Sequence, residues 1–161
     1  MKQGSAFNSG MLRTILIATC LLAGPSAFAA DITGVPKIID GETLVVGGKR
    51  FRLWGIDAPD PRQTCTIRRR DYNCGRISAT ALMDLVAGVH VTCRPVKGAT
   101  DVARCYAGGY ELSEGMVHTG WALAAPRDHA RFAPIEKRAA MARRGLWQGE
   151  FVMPWDWQAE N

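Results

Sequence analysis

Carboxylates and an arginine lie close together in sequence between residues 40 and 60. Asp40 and Glu42 flank a glycine in DGET, and Arg52 begins the stretch RLWGIDAPD, which contains Asp57 and Asp60. Carboxylate oxygens are ligands that hard cations prefer, and arginine binds phosphate oxygens. Aspartates beside glycine or proline also cap tight turns through backbone amides. The segment therefore predicts either a metal and phosphate site or a set of capped turns.

The elements that must position these side chains are β-strands. Three strands are predicted here, at residues 35–40, 42–46 and 49–56. Gly47 and Gly48, between the second and third strands, are a two-residue hairpin signal. In the third strand Phe51 and Leu53 alternate with arginines, so we expect Arg52 on the face opposite the core.

The remainder of the chain adds strands and helices. A second antiparallel pair is predicted at residues 89–93 and 101–106. Three helices are predicted: one after the polar loop at 65–75, a short one within 111–122 that ends near Gly120, and a last one. The buried stripe of the last helix is spaced 3, 4, 3 and 4, at Phe132, Ile135, Ala139, Ala142 and Leu146. Five strands and three helices favour an α+β fold with a five-stranded OB-type Greek-key barrel.

Residues 1–29 have the pattern of a cleaved signal peptide. Lys2 and Arg13 precede a short apolar run at residues 14–24, and Ala27 and Ala29 fit a cleavage site after Ala29. Cleavage after Ala30 is the alternative. No later run is long enough to span a bilayer, so we expect no stable membrane insertion and a periplasmic or secreted protein. Residues 30–161 are predicted as one domain, and we expect a monomer.

The mature chain is mildly basic and carries an even number of cysteines. Removing Lys2 and Arg13 leaves 18 basic and 15 acidic residues, a net charge of +3. This charge permits contact with nucleic acid or another polyanion. An even cysteine count in an exported chain predicts disulfides, and the four residues allow three pairings. Chain order favours the first two together and the last two together, among Cys65, Cys74, Cys93 and Cys105.

The loop between the first two of these cysteines contains three consecutive arginines, Arg68 to Arg70. They are either a solvated loop tethered by a disulfide or an electrostatic contact for polyanions. The sequence does not choose between these two interpretations.

The order of motifs resembles the staphylococcal nuclease-like (thermonuclease) family. The matching pieces are IIDGETLVV, FRLWGIDAPD, YNCGRISATALMDLVAG, VTC, ARCYAGGYELSEGMVHTGWA and EKRAAMARRGLW. They extend from about Val35 to Trp157, and their combination in this order is specific. The resemblance implies an OB barrel and a site that hydrolyses phosphodiesters of DNA or RNA with one calcium ion.

The resemblance also implies roles for individual residues. Asp40, Glu42 and Asp57 take the positions that ligate calcium. Arg52 takes the position of a phosphate-binding, catalytic arginine, and Asp60 that of the catalytic base. Two of these depart from the family: Glu42 is one methylene longer than the aspartate found there, and Asp60 is one methylene shorter than the glutamate.

Further departures concern the cations and the stacking group. The second phosphate-binding arginine of the family falls at Thr100, and Lys97 is the only nearby cation. Arg127 follows Pro126 where the family often has a tyrosine that packs on the nucleotide. We therefore expect substrate contacts from Arg52, Lys97 and Arg127. The hypothesis is an exported, calcium-dependent nuclease with weak activity, and the alternative is a catalytically inactive module that binds nucleic acid or an acidic exopolysaccharide.

Overall fold

The computed structural model describes residues 30–160, together with Met1 and Gly4. The predicted signal peptide lies outside the described residues except for those two, and it stays a prediction. None of the helices within residues 30–160 combines the length and apolar character that crossing a bilayer would require.

The described chain alternates short strands with a few helices. Within residues 30–160 there are eleven strands: β1 Ile32–Gly34, β2 Lys37–Ile38, β3 Thr43–Val46, β4 Lys49–Leu53, β5 Ile56–Asp57, β6 Cys65–Ile67, β7 Arg70–Tyr72, β8 Val91–Pro95, β9 Val102–Ala107, β10 Tyr110–Glu111 and β11 Leu123–Ala124. The same residues form four α-helices and one 3₁₀ turn: α1 Cys74–Leu85, α2 Leu112–Thr119, α3 His129–Met141, the turn Gly145–Gln148 and α4 Pro154–Glu160.

Seven strands form one mixed sheet, which makes the protein an α+β fold. The order is β1-β8-β9-β4-β3-β2, and β10 pairs with β9. Neighbouring strands are antiparallel except β4 and β9, which are parallel. Strands β1 and β2 stand at opposite ends of this order, yet residues 35–36 alone separate them in sequence. The sheet must therefore curve until its two edges approach each other.

The strands are shorter and more numerous than the five that the sequence predicts. The first predicted strand, at residues 35–40, is reduced to β2, since Pro36 cannot donate to a strand pairing, and β1 precedes it in a segment with no predicted strand. The third predicted strand is divided after Leu53, because Gly55 has a φ of 77° and turns the chain between β4 and β5. Four further strands lie outside the predicted ones: β6 and β7 form a hairpin within the predicted polar loop, and β10 and β11 flank α2.

The helices follow the predictions with two differences. Helix α2 ends at Gly120 as predicted; this residue has a φ of 77° and closes the helix with backbone hydrogen bonds. Helix α3 ends before Leu146, which lies in the separate 3₁₀ turn but is buried, and Ala142 of the predicted buried stripe is instead the exposed C-cap of α3. The tail, for which no helix is predicted, forms the additional helix α4.

The core lies between the curved sheet and the helices. Phe51 and Leu53 of β4 are buried, whereas Arg50 and Arg52 are exposed or half-exposed, as the alternation predicts. Two disulfides are present, Cys65–Cys74 and Cys93–Cys105. This is the pairing that chain order favours. The second joins directly opposed residues of β8 and β9, and both of its sulfurs lie in the core.

Candidate functional site

The side chains of Glu42, Arg52 and Asp57 come together at the end of the β3–β4 hairpin. Arg52 is paired with Thr43 in this hairpin, which brings Glu42 beside it. Arg52 Nε donates a hydrogen bond to Glu42 Oε1 at 2.9 Å, and Arg52 Nη2 lies 4.0 Å from Asp57 Oδ1. The backbone N–H of Ala58 donates to Glu42 Oε2 at 3.2 Å. One guanidinium therefore lies between two carboxylates.

The two carboxylates of this cluster are more deeply buried than the guanidinium between them. The side chains of Glu42 and Asp57 are 11% and 10% exposed, whereas that of Arg52 is 49% exposed. Burial raises the pKa of Glu42 to about 7; the nearby Asp57 raises it further, and Arg52 opposes both. Burial also raises the pKa of Asp57. A cation bound between the two carboxylates would relieve this cost, because opposite charge stabilises the ionised form.

Asp40 caps the turn that leads into β3. Its Oδ1 accepts from the N–H groups of Glu42 at 2.9 Å and Thr43 at 2.7 Å. Its charge also helps to raise the pKa of Arg52, so it lies near the cluster. Gly41 lets this turn pack against α1, since a Cβ there would fall 1.9 Å from Ser78 Oγ. Asp40 thus fits the turn interpretation and borders the charged cluster as well.

Asp60 is engaged in a turn of its own. Its Oδ1 accepts from the backbone N–H of Arg62 at 2.8 Å, and Arg62 Nε lies 3.4 Å from the same oxygen. Its carbonyl accepts from the N–H of Gln63 at 2.8 Å. The contacts of its carboxylate in the described structure are therefore with Arg62, not with the three clustered side chains.

An open cavity of about 400 Å³ adjoins the cluster. Arg52 and Asp57 line one part of it, and Pro126 and Arg127 line another. Arg127 is exposed and faces the same space as Arg52. Lys97 and Thr100 lie in the exposed turn between β8 and β9 and are not among the lining residues of this cavity. Of the two predicted auxiliary cations, the structure brings only Arg127 to the cavity.

Two contacts at the site could not be recognised in the sequence. Gln158 of α4 donates from Nε2 to Asp57 Oδ1 at 3.2 Å, across 101 positions of sequence. The Arg104 guanidinium lies 4.0 Å from the ring centre of Trp54, which lines the cavity. Alternation predicts that Arg104 lies in a strand, but nothing in the local sequence indicates its partner.

The donor set suits calcium in its chemistry. Glu42, Asp57 and Asp40 offer carboxylate oxygens, the ligands that Ca²⁺ takes, and the raised pKa values mark a place where a cation is favoured. Within residues 30–160, no three histidine, cysteine, aspartate or glutamate side chains already stand in a metal-binding arrangement. Glu42 would have to exchange its contact with Arg52 for one with the metal.

Comparison with known proteins adds independent findings. No family model matches the chain. It is 28% identical over 151 residues to the succinoglycan biosynthesis protein ExoI of Rhizobium meliloti (strain 1021), covering 88% of this chain and 79% of that protein. It is 29% identical over 175 residues to Protein ParB of Escherichia coli, covering 94% and 92%.

A plant protein with a nuclease name is also similar. The chain is 30% identical over 118 residues to the "Probable staphylococcal-like nuclease CAN2" of Oryza sativa subsp. japonica. The match covers 70% of this chain but 30% of the rice protein, so the chain spans about a third of that relative's length.

Proposed function

This chain belongs to the staphylococcal nuclease-like family, and on that premise we propose that it is a calcium-dependent phosphodiesterase of DNA or RNA with weak activity. One observation carries the proposal: Glu42, Arg52 and Asp57 converge beside a cavity that Arg127 also lines. A half-exposed guanidinium beside two buried carboxylates offers a phosphate ligand next to a place that favours a cation.

Arg52 is the phosphate-binding, catalytic residue in this proposal. Its Nε is occupied by Glu42, and its exposed guanidinium end borders the cavity. The remaining N–H groups would donate to phosphate oxygens, on which charge grows during displacement. Arg127 would contact a neighbouring phosphate from across the same cavity, in place of the arginine that Thr100 replaces.

Glu42, Asp57 and Asp40 would hold the calcium ion. When bound, the ion would polarise the phosphate and help to orient the attacking water. Gln158 would orient Asp57, since it donates to Oδ1 and leaves the other carboxylate oxygen available. Asp60 would take the proton of the water, provided that its carboxylate leaves Arg62.

Three features support low activity. The carboxylate of Glu42 already has two partners, Arg52 and Ala58. Asp60 is shorter than a glutamate and bonded to Arg62, and a catalytic group displaced by about an ångström can lower rates by about 100-fold. Thr100 carries no charge. The proposed calcium ligand Glu42, the proposed base Asp60 and the second phosphate-binding position, Thr100, are thus each less suited to catalysis.

We also propose that the chain is exported and built on a five-stranded OB-type barrel. The two disulfides support an oxidising compartment. Strands β1 and β2 are consecutive in the chain but stand at opposite edges of the sheet, and β4 pairs with β9 in parallel. Both observations support a closed barrel.

Digestion of single-stranded DNA by the oxidised protein tests the proposal. We expect slow cleavage in calcium and none in chelator. Arg52→Gln should lower the rate by about 100-fold or more, because a charged donor to the transition state is lost. Arg50→Gln is the matched control, since Arg50 lies two residues earlier on the same face of β4. Equal rates for the two variants would contradict the role of Arg52.

The name of ExoI gives the alternative a specific basis, because that relative is named for the biosynthesis of a polysaccharide. If the wild-type protein cleaves neither DNA nor RNA but binds an acidic polysaccharide, the catalytically inactive binding module is the better description.

A further inference from the structure

The turn of the β6–β7 hairpin carries two arginines in a conformation that arginine disfavours. Ile67 pairs with Arg70, so Arg68 and Arg69 are its two turn residues. Their φ angles are 49° and 64°, in the left-handed region. Two-residue turns of this kind strongly prefer Asn-Gly, because both positions need positive φ. Arginine at both positions is therefore explained by something other than turn stability.

A third arginine has the same property. Arg143 follows the C-cap Ala142 of α3 and has a φ of 49°. Glycine is the usual residue at this position of a helix end. In the described part of the chain, these three arginines are the residues other than glycine that have positive φ.

All three arginines line one open cavity of about 480 Å³, which is separate from the cavity at Arg52. Its volume lies within the range of about 300–1,000 Å³ that ligand sites in proteins occupy. The lining residues are Thr66, Arg68, Arg69, Arg143, Trp147, Gln148, Gly149 and Glu150. Strained backbone that collects at one concave surface is a pointer to function.

The walls of this cavity are held by the backbone. Thr66 and Glu150 exchange backbone hydrogen bonds of 2.9 and 2.8 Å. Gly149 permits this approach, since a Cβ there would fall 2.1 Å from the Thr66 carbonyl oxygen. The Cys65–Cys74 disulfide anchors the base of the hairpin. The hairpin that carries Arg68 and Arg69 is therefore held firmly against residues 149–150.

The guanidinium groups of the three arginines are available to bind a ligand. Within residues 30–160, Arg68, Arg69 and Arg143 have no ion pair or side-chain hydrogen bond, unlike Arg52 and Arg62. Glu150 supplies one negative charge to the lining. The cavity thus carries a formal charge of +2.

We propose that this cavity is a second anion site, which binds phosphodiester groups of a nucleic acid strand at a distance from the catalytic cluster. The proposal rests on the proposed function for the identity of the polymer. Planar guanidinium forks match the tetrahedral oxygens of phosphate. Three cations around one cavity suit a nucleic acid strand, which carries a charge about every 3.4 Å along the helix axis. Of the three loop arginines, Arg68 and Arg69 serve this site and Arg70 does not.

The test is a variant that removes the charges and relieves the backbone: Arg68→Asn with Arg69→Gly and Arg143→Gly. Its thermal midpoint should not fall below that of the wild type, because the new residues suit positive φ. Affinity for a fluorescein-labelled thymidine oligonucleotide, measured by anisotropy in chelator, should fall at least about 10-fold. The slope of log K against log salt should fall by about 2, at about 0.7 per lost contact with a single strand.

The control is Arg70→Gln with Arg76→Gln, two exposed arginines outside the cavity lining. If the triple variant binds the oligonucleotide no more weakly than this control, the proposal is wrong. It is also wrong if the triple variant loses affinity for polygalacturonate but not for the oligonucleotide. Binding is measured in chelator and hydrolysis in calcium, so the two proposals can fail separately. If the wild type does not hydrolyse DNA in calcium but binds the oligonucleotide through these arginines in chelator, the catalytic proposal is wrong and this site is supported.

Discussion

At the scale of single residues, the candidate site depends on where each carboxylate finds its partners. Asp40 and Asp60 accept backbone N–H groups within their own turns. Glu42 reaches further, to Arg52 and Ala58, because its additional methylene lets it lie against both. The longer side chain thus occupies Nε of the arginine that phosphate would bind. The weak activity that we propose follows from this competition between Glu42 and a substrate phosphate for one guanidinium.

The raised pKa of Glu42 predicts that stability depends on pH. Folded, this group keeps its proton up to about pH 7, whereas its ordinary value is 4.5. Its contribution to the free energy of unfolding is fully present below pH 4.5 and is lost as pH rises to about 7. The loss is roughly 3 to 4 kcal/mol, from about 1.4 kcal/mol per pH unit. Asp57 acts in the same direction, since burial raises its pKa too.

Urea unfolding at a series of pH values in chelator measures this dependence. Glu42→Gln should flatten the profile between pH 4.5 and 7. Glu160→Gln, which alters an exposed carboxylate, should leave it unchanged. If Glu42→Gln leaves the slope of the wild type intact, then Glu42 does not hold its proton in the folded protein.

At the scale of elements, the last helix is part of the site. Helix α4 supplies Gln158 to Asp57, and the segment before it is tied down by Gln63, whose Nε2 donates to the Val152 carbonyl at 2.7 Å. Gln63 is fully buried. The tail therefore reaches both the loop after Asp60 and the carboxylate of Asp57.

Replacing Gln158 should affect stability and calcium affinity together. Gln158→Ala removes the hydrogen bond to Asp57, worth about 1 kcal/mol. Gln158→Glu places a like charge against Asp57 and should destabilise the calcium-free protein more than Gln158→Ala does. Urea unfolding with and without calcium checks both. Equal stability of the two variants in chelator would mean that α4 does not reach Asp57 in solution.

At the scale of the whole molecule, two disulfides join parts that differ in role. Cys93–Cys105 links β8 covalently to β9 inside the main sheet. Cys65–Cys74 closes the hairpin that carries Arg68 and Arg69. One bond supports the core, and the other holds the second anion site.

Removing the core disulfide should therefore weaken the whole fold. Cys93→Ala with Cys105→Ala should lower the free energy of unfolding by about 3 kcal/mol, since the unfolded chain gains freedom and buried sulfur is lost. Urea unfolding of the oxidised wild type and the variant measures this. A loss below about 1 kcal/mol would contradict the structural role of this bond.

Much of the fold was predictable because its signals are local. Alternation in β4 placed Arg52 on the strand face opposite that of Phe51, and Gly47 and Gly48 located the turn of the β3–β4 hairpin. Chain order favoured the disulfide pairing that the structure contains. Strand β1, the β6–β7 hairpin and α4 were not predicted, because whether such short segments pair or pack depends on the elements that they contact.

By itself, the sequence determined the residue types of the site and the strand face on which Arg52 lies. Tertiary structure alone decided which carboxylates cap turns and which share the guanidinium. It also joined Asp57 to Gln158, and Arg143 to the hairpin turn at Arg68 and Arg69. The physical reason is separation in sequence. Gln158 and Arg143 are each more than 70 positions from the residues that they meet, and only packing of the intervening elements brings them together.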